Sequence, residues 1–277
     1  MTSFSNQVIG VAGCGAMGLP MAENLLRAEF DVWGYDVRPV PASDSMKNRM
    51  MSDPKAFAAR SDIVISVVRD IAETNALLFT DQAILTGPGH PETLILSSTL
   101  SPRYIREVAA RVPDGITVID APMSGAPYRA RDASLTFMVG GDVDDVQVLM
   151  PAFEAMGAEV HHLGPVGAGA ACKVANNLCA AAGVVAVRRA LKAAAGYGIE
   201  APKLLEVMRS SSGSTWYGDN LQKIDWAAEG YDPANTMGIL EKDVNSFIDA
   251  LEGLDGMAAG SFEDAVVDAI RRMEPLT

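Results

Sequence analysis

Residues 8–25 read VIGVAGCGAMGLPMAENL, and this stretch decides the fold. Its first five residues, Val8 to Ala12, are a strand-length apolar run; Gly13, Gly15 and Gly18 follow as GxGxxG; Met17 to Ala28 then reads as a helix. Strand, glycine turn and helix in that order open a dinucleotide-binding α/β unit. Gly13 permits the tight turn, Gly15 lets the backbone approach a pyrophosphate, and Gly18 brings the helix against the sheet. The helix N-terminus adds N–H groups and a positive dipole end. Asp36 closes the next strand, Val32 to Tyr35, about 20 residues on, where an acid binds the adenosine ribose diol. Its charge repels a 2′-phosphate, so NAD is the expected cofactor. Arg38 stands two residues later and could instead receive that phosphate, which keeps NADP as the lesser alternative.

Outward from this unit, strands are expected over Ile63 to Val67, Leu94 to Leu96, Ile116 to Ile119, Leu135 to Val139 and Glu159 to Leu163, with a helix from Val143 to Met156. The alternation predicts an α/β fold, a Rossmann-type doubly wound parallel sheet wrapped by helices. From residue 164 the texture changes to GPVGAGAACKVANNLCAAAGVVAVRRALKAAAGYG, rich in alanine and without proline between Pro165 and Pro202. This predicts a long helix opening an all-helical domain. The chain therefore divides into a dinucleotide-binding domain, 1–164, and a helical substrate and oligomerisation domain, 165–277. A length of 277 residues with 49% hydrophobic content suits two cores. The small residues of the long helix let helices approach closely, so a homodimer or homotetramer is expected.

The net charge of −13 argues against nucleic acid and anionic membrane surfaces as partners. An anionic small-molecule substrate needs a local basic pocket. Cys14, Cys172 and Cys179 lack CxxC or Cys/His spacing, so they read as small buried apolar residues in a reducing compartment. The N-terminus lacks a basic start followed by an apolar run, and the apolar stretch Val174 to Val187 is too short for a bilayer. A cytoplasmic location is expected. His90, His161 and His162 show no ligand spacing, and no metal is expected.

Two further constellations carry chemistry. Asp120-Ala121-Pro122-Met123-Ser124-Gly125 follows the fifth strand, at the carboxyl end of the sheet, where open α/β folds bind ligands. Its backbone N–H groups and the Ser124 hydroxyl can form a nest for a carboxylate, with Gly125 allowing close approach; otherwise the segment is a Pro-Gly turn. Gly167, Gly169, Lys173, Asn176 and Asn177 form GxGxxxKxxNN, which sets Lys173 and Asn177 at i and i+4 on one helix face. Apolar neighbours would lower the lysine pKa toward a range useful for acid–base work, unless its ammonium snorkels to water.

The glycine fingerprint continued through Leu25, DAPMSG, GxGxxxKxxNN and finally Lys242-Asp243 together resemble the β-hydroxyacid dehydrogenase superfamily, over nearly the whole chain. The resemblance implies Lys173 as the catalytic lysine and Asn177 as its orienting partner. It places Ser124 and Gly125 on the substrate carboxylate, Asn176 beside the substrate and Lys242 near both cofactor and substrate. Ala16, Met17, Val68 and Thr99 would join Gly13, Gly15, Gly18 and Asp36 around the cofactor. Ser211-Ser212-Gly213 with Trp216 is most similar to the 3-hydroxyisobutyrate dehydrogenases, which implies a short 3-hydroxy carboxylic acid or its semialdehyde. Ala126 and Ala133 stand where the family carries glycine. Tyr128, Arg129 and Arg131 add bulk and charge to the loop and read as a solvated rim. The stretch after Lys242 is short, so a terminal helix is expected to be missing or pared down. The imine reductases resemble the same fingerprint but lack the lysine and the SG loop. A non-catalytic NAD-binding module predicts a lost lysine or a basic appendage, and neither is present.

Overall fold

The computed structural model describes residues 7–87 and 89–276, so residues 1–6, on which the reading of the N-terminal charge rests, lie outside the described residues. These residues form two compact units, one up to Lys173 and one from Val174 onward. The first unit runs β1 (Val8–Ala12), α1 (Gly18–Arg27), β2 (Asp31–Tyr35), α2 (Asp44–Lys47), β3 (Met50–Met51), α3 (Pro54–Arg60), β4 (Ile63–Ser66) and α4 (Ile71–Leu78). It continues through β5 (Thr93–Leu96), α5 (Pro102–Arg111), β6 (Thr117–Asp120), β7 (Met123–Ser124), α6 (Ala126–Arg131), β8 (Leu135–Gly140), α7 (Val143–Met156) and β9 (Gly157–Gly164).

The strand order is β3-β2-β1-β4-β5-β6-β8-β7, with β9 paired to β8. Strands β3, β2, β1, β4, β5 and β6 are parallel; β4 is buried throughout and β1 and β5 in all but their first residue, which explains why these three read as nearly continuous apolar runs. Ile9, Ile63, Ile65 and Ile95 face one core; Val64, Leu94 and Leu96 face the other. The parallel arrangement expected of the first five strands is present, and the sheet becomes mixed at its far edge. There β8 meets β6 antiparallel through Asp120 and Gly140, and β9 follows β8 in parallel. The chain order reverses between β1 and β4, so the crevice at their carboxyl ends is the topological switch point of the sheet.

The DAPMSG segment is more ordered than a loop. Met123 and Ser124 pair antiparallel with Phe137 and Thr136, and α6 starts one residue after Gly125. Ala126 at φ 60° and Ala133 at φ 51° occupy the left-handed region that glycine favours, a backbone course that alanine takes less easily.

The long helix α8 (Ala168–Gly196) is followed by α9 (Ala201–Arg209), α10 (Trp216–Asn220), α11 (Thr236–Leu251) and α12 (Ser261–Arg271). Pro202 sits in the first turn of α9, where its missing N–H costs nothing. The last helix, α12, is held in the second unit's core by Val266, Val267 and Ile270. Helix α8, inside which the apolar stretch Val174 to Val187 lies, is as a whole long and apolar enough to cross a membrane by length and composition alone. Its Ala181, Val184, Val187 and Leu191 pack in the second core with Leu205, Tyr217 and Met237. Arg188 is buried in this helix and donates to the carbonyls of Glu229, at 2.6 Å, and of Glu274, tying the chain end to the loop before α11.

Candidate functional site

The glycine turn after β1 has the shape that a pyrophosphate requires. Gly13 takes φ +92° and donates its N–H to the Tyr35 carbonyl at 2.8 Å; a Cβ there would meet the Val67 carbonyl oxygen at 2.6 Å. Gly18 lies so close to the turn that a Cβ would stand 2.0 Å from the Gly13 oxygen. Gly15 is the reverse case: it is exposed, and a Cβ would meet nothing nearer than the Arg38 guanidinium at 4.0 Å. Ala16 is exposed and Met17 half-buried beside it. Helix α1 has neither a side-chain cap nor an acid in its first turn, so no side-chain anion of its own faces its positive dipole end; the Leu19 N–H is taken by the Gly15 carbonyl at 3.2 Å and Pro20 has none. These residues fit a dinucleotide.

Asp36 directly follows β2 and is already held. Its Oδ1 accepts the Arg38 backbone N–H at 2.9 Å and stands 3.3 Å from Arg38 Nε, while the arginine itself is largely exposed. The acid and the cation between which the cofactor reading divides thus form one pair. Val68 and Thr99 are both half-buried, and the Ser98 hydroxyl donates to the Val68 carbonyl at 2.7 Å, joining the loops after β4 and β5.

At the end of β6 the carboxylate of Asp120 is fully buried and accepts the backbone N–H groups of Gly167 and Ala170, each at 2.6 Å. Burial pushes its pKa up, opposed by those same N–H groups. Ser124 is half-buried at the end of β7, and Gly125 is buried with the stem of Arg129 lying over it. Asn24 of α1 donates to the Ala130 carbonyl at 2.7 Å, fixing α6 against the fingerprint helix. Cys14 is buried within the fingerprint, and burial pushes its thiol up to about 12. The expectation of three buried cysteines is corrected by Cys172, half-buried, and Cys179, exposed.

Lys173 is 6% exposed, so it does not snorkel to water, and Asn177 stands one turn later on the same helix. In the second unit, Asn176 is exposed and donates to Asn177 Oδ1 at 3.1 Å, and Asn177 donates to Asp243 Oδ2 at 2.6 Å. Lys242 is half-buried, its Nζ 2.8 Å from Asp243 Oδ1. Sequence reasoning singled out both lysines and both asparagines and missed Asp120 and Asp243 as the groups that hold them or their elements. Among the described residues, no group of three or more His, Cys, Asp or Glu is arranged to hold a metal ion.

Two family profiles match the chain. Residues 8–164 match the NAD binding domain of 6-phosphogluconate dehydrogenase, and residues 167–270 match the NAD-binding region of NADP-dependent 3-hydroxyisobutyrate dehydrogenase. The chain is 37% identical over 215 residues to an NAD-dependent L-serine dehydrogenase of Pseudomonas aeruginosa, covering 75% of this chain and 71% of that one. It is 30% identical over 234 residues to the mitochondrial 3-hydroxyisobutyrate dehydrogenase of Homo sapiens, covering 83% and 70%. Among solved structures it resembles a Mycobacterium tuberculosis 3-hydroxyisobutyrate dehydrogenase with L-serine, at a TM-score of 0.75 and 26% identity over 97% of this chain and 96% of that one.

Proposed function

The chain belongs to the 3-hydroxyisobutyrate dehydrogenase-like β-hydroxyacid dehydrogenases, and from that premise we propose that it interconverts a short 3-hydroxy carboxylic acid and its semialdehyde, with NAD preferred over NADP. L-Serine and 3-hydroxyisobutyrate, the substrates named for two relatives, share a carboxylate, a primary alcohol at the third carbon and a small group at the second. That common skeleton is the proposed substrate class.

The single observation that carries the reading is the burial of Lys173 on α8, in the same compact unit as the glycine turn and the Ser124-Gly125 segment. When bound, the nicotinamide supplies hydride acceptance or donation at its C4. The protein's part is to bind, orient and move a proton. Lys173 takes the proton from the hydroxyl oxygen in oxidation and returns it to the carbonyl oxygen in reduction. Asn177 orients the lysine, and Ser124 with the backbone at Gly125 holds the carboxylate. Asn176 and Lys242 contribute the polar contacts that the family assigns them. Asp36 binds the ribose diol, and Gly13, Gly15, Ala16, Met17, Gly18, Val68 and Thr99 shape the cofactor bed.

The test is a panel of L-serine, 3-hydroxyisobutyrate and their methyl esters, followed by nicotinamide absorbance with NAD and with NADP. Turnover of a free acid and loss of most turnover on its ester is the expected pattern. Equal rates on acid and ester would remove the carboxylate assignment of Ser124 and Gly125.

A further inference from the structure

We infer that Asp120 is the positioning residue for Lys173: its carboxylate holds the first turn of α8 and so sets the height and rotation at which that helix presents the lysine. This rests on the proposed acid–base role of Lys173.

A helix begins with four N–H groups that lack partners within it, and α8 has no acidic residue in its own first turn. A carboxylate from 47 and 50 residues earlier in the chain supplies the missing acceptor, one oxygen to Gly167 and the other to Ala170. Both bonds are charge-assisted, and the side chain is fully buried, so water does not compete for it. The seat is also sterically closed. A Cβ on Gly140 would stand 2.4 Å from Asp120 Oδ1, and one on Gly169 would stand 2.2 Å from the Met138 carbonyl oxygen. Backbone therefore lies directly on backbone, and the helix start cannot slide along the sheet edge.

Lys173 follows Ala170 by three residues, close to one helical turn, roughly 4.5 Å along the axis. In the other direction Asp120 lies four residues before Ser124, at the base of the segment assigned to the substrate carboxylate. One side chain thus joins the base of that segment to the turn before the lysine. The chemistry explains why the residue is an acid and not an amide. Two N–H donors need two acceptors, whereas asparagine would offer one oxygen and turn its NH2 toward the second donor. Proton transfer is sensitive to such a change, because a shift of about 1 Å at a reacting group costs on the order of a hundredfold in rate.

The experiment compares Asp120→Asn, Asp120→Glu and Lys173→Met with wild type, assayed with NAD and whichever of L-serine or 3-hydroxyisobutyrate wild type turns over. Asp120→Asn is expected to lower kcat by about thirtyfold or more, to leave NADH affinity within about twofold, and to raise the solvent deuterium isotope effect on kcat as proton transfer becomes limiting. A smaller folded fraction would scale kcat and leave the isotope effect where it was. Asp120→Glu keeps the charge and both acceptors on a longer stem; a similar fall in kcat with a raised isotope effect marks position as the cause, and this variant carries the test if Asp120→Asn does not fold. Retention of kcat within threefold, or a fall with an unchanged isotope effect, overturns the inference and leaves Asp120 as a helix cap. Retained turnover in Lys173→Met would remove the lysine reading itself, an outcome separable from the first by that variant alone.

Discussion

Replacing Ala126 and Ala133 by glycine is expected to stabilise the protein. Ala133 is the residue after the C-cap of α6: the Ser134 N–H donates to the Arg129 carbonyl at 2.9 Å and the Ala133 N–H to the Ala130 carbonyl at 3.4 Å, the pair of bonds that ends a helix in a left-handed turn. Ala126, at φ 60°, opens the same helix. Left-handed placement costs an L-residue about 1–2 kcal/mol. Glycine removes that strain but loses about 0.4–1 kcal/mol more chain entropy on folding, so the net gain is roughly 0.5–1 kcal/mol per site. The two sites lie at opposite ends of α6, so their effects should add to about 1–2 kcal/mol. For a unit of this size that corresponds to a rise of roughly 2–8 °C in the unfolding midpoint. Thermal melts of Ala126→Gly, Ala133→Gly and the double variant test it. A double variant that melts at or below wild type would refute the strain argument, and the left-handed backbone would then have to be relaxed in solution.

Other outcomes follow from single contacts. In native protein near pH 7.5, a thiol reagent should label exposed Cys179 first and Cys14 only on unfolding, since Cys14 is buried with its thiol pushed up to about 12; early labelling of Cys14 by mass spectrometry would contradict this. Wild type should show a higher kcat/KM with NAD than with NADP, and Asp36→Ser, which releases Arg38 from its pair, should shift that ratio toward NADP by about tenfold or more; an unmoved ratio would take both residues out of cofactor choice. Gly18→Ala should weaken NADH binding at least about tenfold, measured by fluorescence, because its Cβ would press on the Gly13 oxygen; near-native affinity would show that the turn yields.

The sequence made the central parallel strands legible because strands buried on both faces are apolar over most of their length, as at residues 63–65 and 94–96. Strand direction is not a local property, so the reversal at β8 was invisible in Leu135–Gly140. β3 and β7 are two residues each, too short to carry a period. The fingerprint, the SG segment and the Lys173–Asn177 pair stood out because spacing sets such residues on a turn or one helix face, whereas Lys242 was singled out only by the family resemblance. Asp120 and Asp243 were not. Their partners lie 47, 50 and 66 residues away, and nothing near them in the chain announces a buried carboxylate with a donor waiting. Asp120 does offer a faint signal, an acid ending an apolar strand. Arg188 shows the same limit, since its carbonyl partners come from loops that only the fold brings to α8.

The central claim is that Lys173 moves the proton, and steady-state turnover of Lys173→Met beside its NADH affinity tests it most directly. Removing an acid–base group typically costs about a hundredfold to ten-thousandfold in rate, whereas removing a binding group raises KM and spares kcat. The account predicts a folded variant that binds NADH with near-native affinity and loses kcat by at least about a hundredfold. A folded Lys173→Met that keeps a tenth or more of wild-type kcat would contradict it.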